Sequence, residues 1–316
     1  MSTIQKPEFS VIVAAYNAAE TLERCIKSIQ AQTRQDFEIV ICDDKSQDNT
    51  LALARNLAQR DSRIIIVEKS ENSGPGGARN TALDQAVGEW IVIVDSDDTI
   101  SPQRLEKMKD AAEKNAVDIV FDNLVYHPMG NAGDYPYLPD TLTIFGPLLF
   151  ETYAASSTVS NPLPNLGFLK PMIRRTLLEQ NTIRYDETLR IGEDSVLIFN
   201  LFAGGAKSWL MREPFYHYYK NKNSISAVFD AEKIRKMAES LKIFLTKNGR
   251  ILKPQDRSAV ESLEKDLRLR LKAREVFGDM SFASLRETCA LAYKDREIRT
   301  YLYRELRQQI KKIISK

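Results

Sequence analysis

The sequence predicts an α/β protein: a mostly parallel sheet flanked by helices, followed by a helical C-terminal extension. Three observations lead there. Short β-branched apolar runs alternate with segments of helical period up to Phe121. Acidic clusters fall directly after two of those runs, where open α/β sheets hold their ligands. Beyond Asp230 the apolar residues keep a helical spacing throughout.

The elements follow in order. Phe9–Ala15 reads as a first strand, and Thr21–Ala31 as a helix with Leu22, Cys25, Ile26 and Ile29 on one face. Phe37–Cys42 is a second strand, Leu51–Leu57 lies in a second helix, and Ile64–Val67 is a third strand. The loop Gly74-Pro75-Gly76-Gly77 leads into a helix from Ala78 to about Val87, and Trp90–Val94 is a fourth strand. Ser101 and Pro102 give a cap and a first-turn proline for a helix over Pro102–Asn115. Ile119–Phe121 is a fifth strand. Strands and helices alternating at this spacing imply right-handed crossovers and a sheet covered on both faces. From His127 to Pro171 the pattern weakens into loops, short strands and a helix near Leu148–Ala155. Met172–Asn181 and Asp194–Ala203 read as helices. In the extension, Val260, Leu263, Leu267 and Leu271 share one helical face. The expected domains are 1–230 and 231–316.

Composition narrows the classes. Of 316 residues, 43% are hydrophobic and 28% charged, which excludes a disordered, collagen-like or disulfide-stapled chain. No apolar stretch approaches the roughly 18 residues of a spanning helix. Residues 1–10 lack the apolar core of a secretion signal, and three scattered cysteines fit a reducing cytoplasm. Two histidines, His127 and His217, are too few for a zinc site. The net charge of +2 hides an asymmetry. Residues 231–316 hold 22 Lys and Arg against 12 Asp and Glu, a net of +10, and the remainder carries −8. The acidic front argues against a nucleic-acid partner. In 299–316, Leu302, Leu306, Ile310 and Ile313 form one helical face ringed by Arg and Lys. Such a helix suits peripheral contact with an anionic membrane, or packing against other helices.

Chemistry concentrates after the strands. Strand one ends in Ala14-Ala15-Tyr16-Asn17, strand two in Asp43-Asp44, and strand four in Asp95-Ser96-Asp97-Asp98. Carboxylates meeting on one rim repel unless a cation joins them, and such a set suits Mg²⁺ or Mn²⁺ holding a diphosphate. Helix caps and turns also favour aspartate, which is the plainer reading. The glycine-rich loop lacks Gly-x-Gly-x-x-Gly and the Lys-Ser/Thr of a P-loop, so dinucleotide and P-loop readings are poor. Its helix N-terminus and Arg79 still favour an anion. Glu193-Asp194 opens a helix, either as charges suited to its dipole or as a general base beside a substrate hydroxyl. Phe215–Lys222, which contains His217, reads as a strand returning to the sheet, and His127 as a surface residue.

Six elements stand in one order: Ser10–Asn17, Phe37–Ser46, Asn72–Asn80, Gly88–Trp90, Asp95–Asp98 and Glu193-Asp194. In this the chain resembles the family 2 inverting glycosyltransferases of the GT-A, Rossmann-like fold, over roughly Pro7 to Ser226. It looks most like bacterial enzymes of exopolysaccharide and lipopolysaccharide assembly. The resemblance implies a nucleotide-sugar donor, expected to be a UDP-sugar, and a saccharide or lipid-linked saccharide acceptor. It implies that Ala14, Tyr16 and Asp44 hold the nucleobase, and that Arg79 positions the nucleotide end of the donor. Asp95, Ser96 and Asp97 would meet the ribose and a Mn²⁺ or Mg²⁺ ion, with Asp97 on the metal and Asp95 on it or on its waters. Asp98 would be structural or touch the sugar. Asp194 would be the base of a single in-line displacement, with Glu193 the lesser candidate. A sugar nucleotidyltransferase would carry its glycine-rich loop after strand one, where this chain has Ala14–Asn17. A non-catalytic nucleotide-sugar-binding subunit is the other alternative, and turnover distinguishes it.

Overall fold

The computed structural model describes residues 6–130, 133–158, 161–221 and 230–277. The chain divides into two compact units, one of 1–149 with 167–225 and one of 150–166 with 226–316.

The first unit holds the sheet. Its strands are β1 (Phe9–Ala15), β2 (Phe37–Asp43), β3 (Ile64–Glu68), β4 (Trp90–Ile93), β5 (Thr99–Ile100), β6 (Ile119–His127), β7 (Tyr135–Pro136), β8 (Gly146–Pro147), β9 (Met172–Arg174) and β10 (Ser208–Tyr219). The order runs β3-β2-β1-β4-β9-β6-β10-β5, with β7 beside β6 and β8 beside β10. Strands β3, β2, β1 and β4 are mutually parallel, and β6 runs parallel to β10. Every residue of β2 and β4, and all of β1 except Ala14, is buried. Unbroken apolar runs such as Val11–Val13 and Ile39–Ile41 therefore stand where both faces are covered, as expected of a parallel sheet. The helices are α1 (Leu22–Gln30), α2 (Thr50–Arg60), α3 (Gly74–Leu83), α4 (Arg104–Asn115), α6 (Arg175–Gln180) and α7 (Glu193–Ala203). In α1 the four residues predicted to share a face are all buried.

Four expectations need correction. Met172–Asn181 is not one helix. Met172–Arg174 forms β9, antiparallel to both β4 and β6, and the helix begins only at Arg175. Two vacant sheet edges outweigh a weak local helical preference here. Helix α3 starts at Gly74, because the glycine-rich loop is its first turn, and it ends at Leu83. Helix α4 starts at Arg104 with Gln103 at its N-cap, and Ser101 Oγ instead meets His217 Nε2 at 2.9 Å. His127 is no isolated surface residue. Its Nε2 meets His217 Nδ1 at 3.0 Å, its Nδ1 lies 2.9 Å from Asp134, and its ring stacks on Tyr219. The Phe215–Tyr219 stretch does return to the sheet as the end of β10, with Tyr216 buried.

The second unit is helical: α5 (Phe150–Ala155), α8 (Ala231–Asn248) and α9 (Pro254–Phe277). Asp230 caps α8 by accepting from the Lys233 amide at 2.9 Å. Val260, Leu263 and Leu267 are buried, and Phe150 meets Phe244 edge-on at 6.1 Å. Among the described residues no helix is long and apolar enough to cross a membrane. Segment 299–316 lies outside the described residues.

Candidate functional site

Parallel pairing of β1, β2 and β4 brings their carboxyl ends to one edge. That edge carries Ala14 and Tyr16, Asp43-Asp44, and Asp95–Asp98 as neighbours, although the sequence separates them by up to about eighty residues.

Asp44 is buried and braces the glycine-rich turn. Its Oδ1 accepts from the Ser73 amide at 2.9 Å and its Oδ2 from the Gly74 amide at 2.8 Å. An acid from a neighbouring strand thus satisfies two free amides of the α3 N-terminus. Gly74 has φ +79°, a conformation that disfavours a side chain. Tyr16 stands 44% exposed, open to a ligand's ring, and Ala14 is half-buried.

A closed ring of ion pairs forms beside Asp44. Arg79, on α3, gives Nη2 to Asp95 Oδ1 at 2.8 Å and Nη1 to Asp194 Oδ1 at 3.0 Å and Glu193 Oε1 at 2.9 Å. Lys170 Nζ lies 2.9 Å from Asp95 Oδ2 and 2.8 Å from Asp194 Oδ2. The repulsion expected among rim carboxylates is met by two protein cations. Burial alone would raise the Asp95 carboxyl, but Lys170 and Arg79 outweigh it and hold it well below the usual range. Burial and the Asp194 charge push Glu193 up. Burial works against the charged forms of Lys170 and Arg79, yet Asp194 and Asp95 keep both firmly protonated. Glu193 and Asp194, which enter this ring, are the first two residues of α7, and the N-cap Gly192 before them takes a left-handed φ of +87°. The resemblance directs Arg79 toward the donor, whereas here its guanidinium faces the three carboxylates.

The other half of the acidic element divides in two. Asp98 is buried and structural in its contacts: Tyr216 donates its hydroxyl to Oδ2 at 2.7 Å, and the Tyr219 amide donates to Oδ1 at 2.9 Å. Burial and the neighbouring Asp95 drive its carboxyl well up. The Asp97 carboxylate has no ion-pair partner among the described residues, and its backbone carbonyl accepts from Arg24 Nη2 at 2.7 Å. Burial and Asp95 raise it. Asp97, half-buried as are Asp95 and Ser96, faces a cleft of about 470 Å³ lined also by Thr21, Arg24, Tyr219 and Lys220. Mg²⁺ and Mn²⁺ accept sites with one or two carboxylates plus substrate phosphates and water. An unpaired hard oxygen donor beside an open cleft fits such an ion. A complete protein cage does not exist here, since no group of three His, Cys, Asp or Glu among the described residues could hold a metal.

Lys170 and Arg24 escaped the sequence reading. Lys170 precedes β9, and the antiparallel direction of β9 brings its N-terminal end to the carboxyl end of β4. Reading Met172 onward as helix hid that placement. Recognising Met172–Arg174 as a strand would have put Lys170 on the acidic rim.

An open α/β sheet that gathers carboxylates, two buried cations and an open cleft at the carboxyl ends of its strands has its candidate site where such sheets hold their ligands. The model for Glycosyl transferase family 2 matches residues 10–180, and the chain belongs to that family. It is a glycosyltransferase of GT-A fold. It is 34% identical to the succinoglycan biosynthesis protein ExoO of Rhizobium meliloti, over 76% of this chain and 68% of that one. Among solved structures it resembles S. aureus TarS 1–349 in complex with UDP-GlcNAc, with a TM-score of 0.67 and 20% identity over 88% of this chain and 77% of that one. The mannosyltransferase PcManGT of Pyrobaculum calidifontis, in complex with GDP-Man and Mn²⁺, gives a TM-score of 0.56 at 20% identity, covering 97% and 88%.

Proposed function

We propose that this enzyme moves a sugar from a UDP-sugar to a hydroxyl of a saccharide or lipid-linked saccharide during bacterial polysaccharide synthesis, with inversion at the anomeric carbon. The observation that supports the reading is the coupling of Asp194 to Asp95 through Arg79 and Lys170, which holds a carboxylate from the start of α7 beside the acidic strand end. The relative in succinoglycan synthesis and the structural neighbour with UDP-GlcNAc support the acceptor and donor classes.

Asp44, through the turn it braces, and Tyr16, through its exposed ring, are suited to hold the nucleobase. The proposed division is a catalytic, nucleotide-sugar-binding domain over 1–230 and a basic helical region over 231–316. Asp194 takes the proton of the acceptor hydroxyl as that oxygen attacks the anomeric carbon from the face opposite the leaving group. An α-linked donor therefore gives a β-linked product, with no covalent sugar on the protein. A Mn²⁺ or Mg²⁺ ion held by Asp97, with Asp95 behind it, would neutralise the charge of the departing diphosphate. Arg24 and Lys220, on the same cleft as Asp97, add positive charge there.

The test is release of UDP from UDP-glucose, UDP-galactose and UDP-N-acetylglucosamine with Mn²⁺, using the native enzyme and Asp194→Asn. We expect UDP release by the native enzyme, UDP binding retained in the variant, and turnover lowered about 10²–10⁴-fold. Native turnover in the variant, or loss in Glu193→Gln alone, would refute the assignment of the base. A native protein that binds UDP-sugars and never turns them over would be a binding subunit.

A further inference from the structure

Lys170 forms no part of the elements on which the family resemblance rests, yet its ammonium closes the ring. Arg79 bridges Asp95 Oδ1 and Asp194 Oδ1, and Lys170 bridges Asp95 Oδ2 and Asp194 Oδ2 at 2.9 and 2.8 Å. Each of these carboxylates thus has a different cation on each oxygen. The terminal torsion of an aspartate is broad and two-fold, so a single contact leaves the carboxylate plane free to turn. Contacts on both oxygens fix its position and its plane together.

The ammonium is itself anchored. The Lys170 side chain is only 8% exposed. Its carbonyl accepts from Arg104 Nη2 at 2.6 Å, and Arg104 is held by Asp122. Pro171 then leads directly into β9, which is paired on both sides. A point charge on so rigid a base is suited to setting geometry.

We propose that Lys170 is a positioning residue that fixes the Asp194 carboxylate relative to Asp95, so that the base and the donor-side carboxylate stand at one spacing before substrates bind. The proposal rests on the reading of Asp194 as the base. Without the ammonium, Arg79 alone would hold each carboxylate by one oxygen. Asp194 would then be free to rotate away from the acceptor hydroxyl, while the nucleobase contacts at Asp44 and Tyr16 stayed in place.

The test compares Lys170→Met, Lys170→Arg and Asp194→Asn in the full chain. It uses steady-state UDP release from whichever UDP-sugar the native enzyme turns over, calorimetry with UDP and Mn²⁺, and a crystal structure of Lys170→Met. A displacement of about 1 Å can cost about 10²-fold in rate. We expect Lys170→Met to lower kcat about 10–100-fold, with donor KM and UDP Kd changed less than about threefold, and Lys170→Arg to recover part of the loss. The crystal structure should show Asp194 rotated from its shared orientation with Asp95. Native kcat in Lys170→Met with an inactive Asp194→Asn would overturn the positioning role alone. Native turnover in Asp194→Asn would overturn both readings. Weakening of UDP binding in step with kcat, or an unmoved Asp194 in the crystal, would reduce Lys170 to a structural ion pair. If Lys170→Met does not fold, Lys170→Gln carries the test: lowered kcat with UDP binding kept supports the proposal, and native kcat overturns it.

Discussion

Arg104 and Asp122 form an ion pair whose side chains are both 0% exposed, and its disruption should be the costliest single change in the sheet unit outside the apolar core. Asp122 accepts from Arg104 Nε at 3.0 Å and Nη2 at 2.9 Å. Nη2 also reaches the Lys170 carbonyl, while Nη1 is buried with no hydrogen-bond partner among the described residues. The guanidinium further lies over the Tyr216 ring, 5.1 Å from its centroid. Asp122→Ala would leave a full positive charge in the core with a carbonyl and a ring for company. Breaking a buried pair from one side costs about 3–5 kcal/mol, because the remaining charge stays desolvated. For a unit of this size each kcal/mol lowers the melting temperature by about 2–4 °C, so the expected fall is about 6–20 °C. Thermal unfolding followed by circular dichroism, with urea denaturation for the free energy, measures it. Asp122→Leu with Arg104→Met should recover most of the loss, apart from the roughly 1–3 kcal/mol of a stranded Lys170 carbonyl. A loss below about 1 kcal/mol in Asp122→Ala would show that water or rearrangement solvates the guanidinium, and would refute the energetic reasoning.

Three more outcomes can be measured. Asp97→Ala should abolish the Mn²⁺-dependent part of UDP binding by calorimetry, since it removes a carboxylate that faces the cleft and has no ion-pair partner among the described residues; unchanged affinity with and without metal sinks the metal assignment. Asp256, in the first turn of α9, is raised to about 6 by burial and by the Glu151 carboxyl. An unfolded aspartate titrates near 3.9, so this group's contribution is fully present below about pH 4 and is lost as pH rises through about 6. Asp256→Asn should therefore gain about 1–3 kcal/mol over the native chain between pH 4.5 and 7.5 in paired urea titrations, whereas a flat difference contradicts the raised Asp256 carboxyl. For 299–316, sedimentation with phosphatidylglycerol vesicles should separate the full chain from one lacking that segment, and equal negligible binding by both removes the membrane role.

Much of the fold could be read locally. The predicted β1 matches its observed bounds, and β2 and β3 each run one residue beyond theirs, because isolated β-branched runs between helical segments have few other uses. Met172–Arg174 failed by the same logic: three residues carry no period, and what makes them a strand is the gap between β4 and β6, which no window around Met172 contains. The Gly74 turn failed differently, since its helical geometry depends on the Asp44 carboxylate, thirty residues away.

The alternation of elements, the apolar faces that build the core, and the placement of carboxylates after strands are all legible in the order of residues. These follow from side-chain size, period and backbone preference, which act over a few residues. How those carboxylates are neutralised depends instead on the folded arrangement. Asp95 is separated from Asp194 by ninety-nine residues, and the spacing of the two depends on Arg79 and Lys170 reaching both from separate elements. Coulomb interactions select partners by distance in space, so the pairing of Lys170 with the rim became visible only once β9 had turned antiparallel beside β4.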